Sequence, residues 1–144
     1  MQQQNEAVLR IGEVAAACGV SVDTIRHYER VGVLRDVERS GNGYRLYTAA
    51  SVDRVRLVRR ALLLGFTLEE LSRILRQRDS GLAPCRQVRA LAARKLADLD
   101  DRIAELLSLR DTLSHTVDSW DALLAGTAEG QPAHLLESLA ERKK

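Results

Sequence analysis

Between Pro84 and Leu124 the chain runs without a glycine or a proline. Its apolar residues there step by four and three: Ala92, Leu96, Leu99, Ile103 and Leu106, then Leu113, Val117, Trp120 and Leu124. Arg110 takes the one polar place in the series. A 3–4 stripe held over several turns is the pattern of a helix that winds on another helix. No other segment of comparable length exists in this sequence to receive it. Left alone, the stripe would be a continuous apolar face in water. The segment therefore predicts a homodimer, with Leu96, Leu99, Ile103, Leu106, Leu113, Val117 and Trp120 as its seam. An arginine in such a seam is costly unless paired, so Arg110 is a candidate for setting register against a carboxylate.

What remains of the 144 residues is enough for one small domain and a short tail. Aromatics make up only 3% of the chain, charged residues 29%, and there are two prolines. That balance favours helices. The net charge of +2 says little, but its distribution says more. Residues 1–78 hold 13 Lys/Arg against 9 Asp/Glu, and residues 79–144 hold 9 against 11. The first half is suited to a polyanion and the second is not. Two distant cysteines, Cys18 and Cys85, suggest no disulfide framework. The first residues lack the basic-then-apolar pattern of a signal peptide. No stretch reaches the roughly 18 apolar residues of a membrane span. The expectation is a cytoplasmic protein without a membrane partner.

The basic half reads as a compact head. Residues 11–19 form a short helix closed by Gly19, with Ile11, Val14, Ala15 and Cys18 on one face. Ser21 then caps a second helix over about 22–31, stopped by Gly32. Two short helices across a Gly-Val-Ser turn make a helix-turn-helix. Gly41-Asn-Gly43 is a strong turn signal, and 34–37 and 44–47 flank it as the two short strands of a wing. Thr48 can cap a third helix over about 49–64, with Val52, Val55, Val58, Leu62 and Leu63 as its stripe. Arg54, Arg56, Arg59 and Arg60 wrap around that helix, so they cannot all face one partner. Thr67-Leu-Glu-Glu70 is a capping box for a fourth helix to about Gln77. Residues 79–84 are a linker, 126–131 a loop, and Pro132 is placed to open a last helix that runs out at the C-terminus.

Four of these segments together resemble the MerR family of bacterial regulators. They are Arg10-Ile-Gly-Glu-Val-Ala, Gly19 to Leu34 with its Ile-Arg-His-Tyr-Glu-Arg, Arg39-Ser-Gly-Asn-Gly-Tyr-Arg-Leu-Tyr47, and Leu64-Gly-Phe-Thr-Leu-Glu-Glu-Leu71. The resemblance covers about residues 8–78. It implies a mainly α fold: a winged helix-turn-helix head (8–78), an antiparallel coiled-coil dimerisation helix (84–124) and a C-terminal effector region (126–144). It also implies a regulator that binds double-stranded promoter DNA as a dimer and acts on RNA polymerase indirectly, by distorting the DNA.

On that reading the second helix enters the major groove with Asp23 and Arg26. Tyr28 either touches phosphate through its hydroxyl or fills the core, and His27 is a surface or packing residue. Tyr44 and Arg45 look like clamps on the DNA backbone, as in the family, and Tyr47 either joins them or packs beneath the wing. In the metal-sensing branch a cysteine opens the dimer helix, and two more stand in a loop beyond its far end. Cys85 falls on the first position, and nothing occupies the other two as cysteine. A lone thiolate is a poor basis for holding zinc, cadmium, mercury, lead or copper, and His115, Asp118, Asp121 and His134 have no diagnostic spacing. The alternative is a reactive thiol at Cys85, favoured by the helix N-terminus. Cys18, on an apolar face, reads as packing. Trp120 is either a seam residue or the mark of an apolar ligand. No paired carboxylates, Ser/His/Asp ordering or phosphate loop point to an enzyme.

Overall fold

A computed structural model describes residues 7–35 and 39–141. Six helices follow in order: α1 Ile11–Cys18, α2 Val22–Arg30, α3 Ala49–Leu63, α4 Leu68–Asp79, α5 Cys85–Ala125 and α6 Leu135–Glu141. The fold is mainly α, a winged helix-turn-helix head followed by one long helix. The chain divides into two units, Met1–Ala93 and Arg94–Lys144. The division falls inside α5 and not in the 79–84 linker, because Val88 and Leu91 on its first turns pack on the core of the first unit.

That core is built by the faces the spacing selects. Val14, Ala15 and Cys18 of α1 meet Ile25 and Tyr28 of α2, Val52, Val55 and Val58 of α3, and Leu71, Ile74 and Leu75 of α4. Local chemistry sets each boundary. Gly19 stops α1 in the left-handed conformation (φ 64°), and the amides of Gly19 and Val20 close on the carbonyls of Ala16 and Ala15. Ser21 Oγ accepts from the amide of Thr24 at 3.1 Å. Thr67 and Glu70 form the reciprocal cap of α4, at 3.2 and 2.9 Å.

Three expectations are corrected. Leu63 does not join the α3 stripe; it is 87% exposed, and Phe66, beyond Gly65, turns back into the core instead. Among its described residues the wing holds isolated bridges in place of two strands. Leu34 is buried with its amide on the carbonyl of Tyr28, so it is part of the turn that closes α2 and not of a wing strand. Residues 36–38 lie outside the described residues. The returning arm pairs Arg45 with Arg39, but Tyr47 pairs with Leu9, ahead of α1. Lastly, α6 opens at Leu135 and not near Pro132. His134 stands at a φ of 52°, a left-handed conformation that a helix cannot run through.

In the second unit, α5 continues and α6 packs by Leu135 and Ser138 rather than by Leu136 and Leu139, which stay exposed. Among the described residues no helix is long and apolar enough to cross a membrane.

Candidate nucleic-acid interface

The head carries an open cleft between the start of α1, the solvent side of α2 and the wing. Six arginines line it among the described residues: Arg10, Arg26, Arg30, Arg35, Arg39 and Arg45. Two acids line it with them, Glu13 and Glu29, and both are already engaged. Glu13 Oε2 accepts from the Arg10 amide at 2.7 Å and caps α1. Glu29 is ion-paired with Arg45 and accepts the Tyr47 hydroxyl. A concave surface with this surplus of guanidinium groups attracts a phosphate backbone, and its field is focused by the low-dielectric walls.

The sequence-selected residues separate into two groups. Asp23, Arg26, Tyr44 and Arg45 are on the surface. Asp23 and Arg26 form an exposed ion pair at 3.5 Å, one turn apart on α2. Tyr44 is 63% exposed at the wing, and the Arg10 guanidinium stands 5.7 Å from its ring centre. Tyr28 and Tyr47 go the other way. Tyr28 is buried against α1, and burial pushes its hydroxyl up from the ordinary tyrosine value. Tyr47 is fully buried beneath the wing, its hydroxyl pushed up to about 12, first by burial and then by its bond to Glu29. For both, the packing reading is the one the geometry takes.

Arg10, Arg30, Arg35 and Arg39 were not selected from the sequence. Arg30 was within reach, four residues after Arg26 and so on the same helix face. The other three lie in irregular segments, where no periodicity reports the facing side. Three of the four arginines of α3 turn out to be structural. Arg54 binds Asp79 with both ends of its guanidinium, at 2.9 and 2.7 Å, and its Nε donates to the Val33 carbonyl at 2.8 Å. Arg56 and Arg59 donate to the carbonyls of Ala17 and Cys18, at the C-terminus of α1 where unpaired carbonyls collect.

The two thiols differ in kind. Cys18 is buried, its Sγ directed at the Val52 carbonyl, and burial raises its pKa above the ordinary thiol value. Cys85 is exposed at the first residue of α5. Among the described residues no group of three or more His, Cys, Asp or Glu is placed to hold a metal ion. His134 lies 3.9 Å from Glu137 on the exposed side of α6.

On α5 the seam residues Leu96, Leu99, Ile103, Leu106, Leu113 and Val117 are all about half exposed in the single chain, and Leu107 and Leu109 extend the apolar surface beside them. Trp120 departs from them. Its Nε1 donates to Ser138 Oγ at 3.0 Å, so the indole is half-buried against α6 of its own chain.

Comparison with known proteins agrees with this arrangement. Residues 9–78 match the model of the MerR HTH family regulatory proteins, and residues 52–116 match that described as MerR, DNA binding. The mercuric resistance operon regulatory protein of Bacillus cereus is 41% identical over 97 residues, 67% of this chain and 74% of that one. A transcription regulator from Ralstonia metallidurans, solved in complex with lead(II), is similar in structure with a TM-score of 0.72 at 28% identity, covering 91% of this chain and 98% of that one. A MerR from Bacillus megaterium, solved in complex with mercury(II), has a TM-score of 0.57 at 32% identity, covering 92% and 99%.

Proposed function

Since the chain belongs to the MerR family of DNA-binding transcription regulators, we propose that it works as a homodimer that sets its two arginine-lined clefts on promoter DNA and switches transcription by distorting that DNA. The cleft carries this reading. Its six arginines meet phosphate, α2 lies in the major groove with Asp23 and Arg26, and Tyr44 and Arg45 clamp the backbone from the wing.

The pairing of two copies follows from α5. Its half-exposed leucines need a cover, and its charges favour one orientation. Residues 85–97 carry Arg86, Arg89, Arg94 and Lys95 and no acid. Residues 111–125 carry Asp111, Asp118 and Asp121 and no Lys or Arg. An antiparallel pair sets these opposite segments toward each other, whereas a parallel pair sets like charge on like.

For an effector, the relatives named for mercuric resistance and the lead(II) and mercury(II) complexes support a soft metal ion. The residues of one chain do not fit such a site, because Cys85 has no second thiol or clustered donor beside it among the described residues. A metal would need ligands from the second copy, and the regulation proposed above depends on no step through one. Cys85 acting as a thiol sensor is the competing reading.

Titrating the protein onto its own upstream DNA over a range of salt tests the function. The logarithm of affinity should fall with the logarithm of salt by about 0.9 for each phosphate neutralised. A flat response would remove the cleft from the proposal. Repeating the titration with zinc, cadmium, copper(I), lead and mercury, and then with a mild oxidant, separates the two effectors. A metal response that is lost in Cys85→Ser supports the ion, and an oxidant response lost in the same variant supports the thiol.

A further inference from the structure

An acidic side chain in a cleft that receives phosphate works against binding, and Glu29 is such a residue. It sits on the last turn of α2 and lines the cleft, with its side chain only 13% exposed. One carboxylate oxygen is paired with Arg45 Nη1, and the other accepts the hydroxyl of the buried Tyr47. In extended backbone, residues two apart share a side, so Arg45 and Tyr47 reach the same carboxylate. The Tyr47 backbone is meanwhile tied to Leu9 by two hydrogen bonds, of 2.7 and 2.8 Å. Glu29 thus joins the reading helix to the returning arm of the wing, and it holds the arginine on that arm.

We infer that Glu29 is a specificity-determining residue: it competes with DNA phosphate for Arg45, so that the wing arginine is surrendered only to a backbone seated in the correct register. On DNA of arbitrary sequence, Arg45 stays with Glu29 and adds little. On the proper site the phosphate displaces the carboxylate or shares the guanidinium, which has five donors in a planar fork and can serve both. The inference rests on the reading that this cleft takes phosphate. Glu29 acts through Arg45 and is a positioning residue rather than a contact.

The test compares the protein's own upstream DNA with a scrambled duplex of equal length and composition, each titrated with salt. Glu29→Gln keeps an acceptor for Tyr47 and removes the charge. Binding to scrambled DNA should tighten several-fold and its salt slope should steepen by about one, as one more phosphate is neutralised. Binding to the upstream DNA should change little, so the ratio between the two falls. In an Arg45→Ala background the same substitution should leave both slopes unchanged. Equal tightening on both duplexes, or an effect that persists without Arg45, would mean that Glu29 merely repels phosphate, and the inference fails.

Arg45→Ala alone gives a second reading that leaves Glu29 intact. It should flatten the slope on upstream DNA by about one and hardly alter that on scrambled DNA. Equal losses on both overturn the inference. Failure of the underlying reading looks different, because the unaltered protein would then show no steep salt dependence on either duplex.

Discussion

At the residue scale, the turn after α2 depends on a position that only glycine fills without strain. Gly32 has a φ of 82°, and a Cβ built there lies 3.2 Å from the Ser72 hydroxyl of α4. Gly32→Ala should lower stability by about 1–2 kcal/mol, the cost of a left-handed side-chain residue, and further if Ser72 has to move aside. Chemical denaturation measures it, and an unchanged midpoint would show that the turn relaxes at no cost. Gly32 was legible in the sequence as a helix stop. The tyrosines were legible only in part. Spacing placed Tyr28 on α2 and Tyr47 on the wing, but whether a hydroxyl faces DNA or the interior depends on the core packed around Tyr28 and on the Glu29 and Leu9 partners of Tyr47, which only the fold brings to them. Tyr44 was placed on the surface only by the family resemblance, and it is exposed at the wing.

At the element scale, the first five helices were legible almost to the residue, since capping and stop residues are local chemistry. What ties the helices to each other was not. The four arginines of α3 could not all face DNA, and three serve as staples. The strongest is Arg54, which joins α3 to the last residue of α4 at Asp79 and to the Val33 carbonyl beyond α2. Arg54, through its hydrogen bonds, holds the Asp79 carboxyl below its ordinary value, against the opposing effect of burial, with Arg35 adding to the lowering. A carboxylate with a lowered folded-state pKa lends stability that is complete above its ordinary value, about 3.9, and lost as pH falls through the folded one. Asp79→Asn should cost about 2 kcal/mol at neutral pH, within the range for charged hydrogen bonds. Its unfolding midpoint should also fall less than that of the unaltered chain as the solution is taken below about pH 4. Parallel acid profiles for the two proteins would place the pairing energy elsewhere.

At the scale of the whole molecule, the long helix was the most legible feature, because a 41-residue helix with a 3–4 stripe has few ways to bury that stripe except against another helix. The stripe is continuous on α5 up to Val117, and its residues stay about half exposed in the single chain. Trp120 kept the periodicity, yet the chain turns back after Gly126 and brings Ser138 onto the indole, a contact no repeat in α5 encodes. Leu99 and Ile103 are half exposed in one chain, so charging them should leave the helix formed while removing its partner. Leu99→Glu with Ile103→Glu is expected to sediment as a folded monomer; a persistent dimer would relocate the seam.

The contrast between the two thiols turns the unaltered protein into its own measuring device. With Cys18 sealed in the core and Cys85 open to solvent, a maleimide dye or nitroxide should attach once per chain at the first residue of α5, with no engineering of the sequence. Two copies paired side by side in the same direction would hold those labels almost together. Two copies paired head to tail would carry them toward opposite ends of helices that rise about 1.5 Å per residue, several tens of ångströms apart. One spectroscopic distance would then report both the direction of pairing and, with DNA added, how far the two ends travel when the promoter is bent.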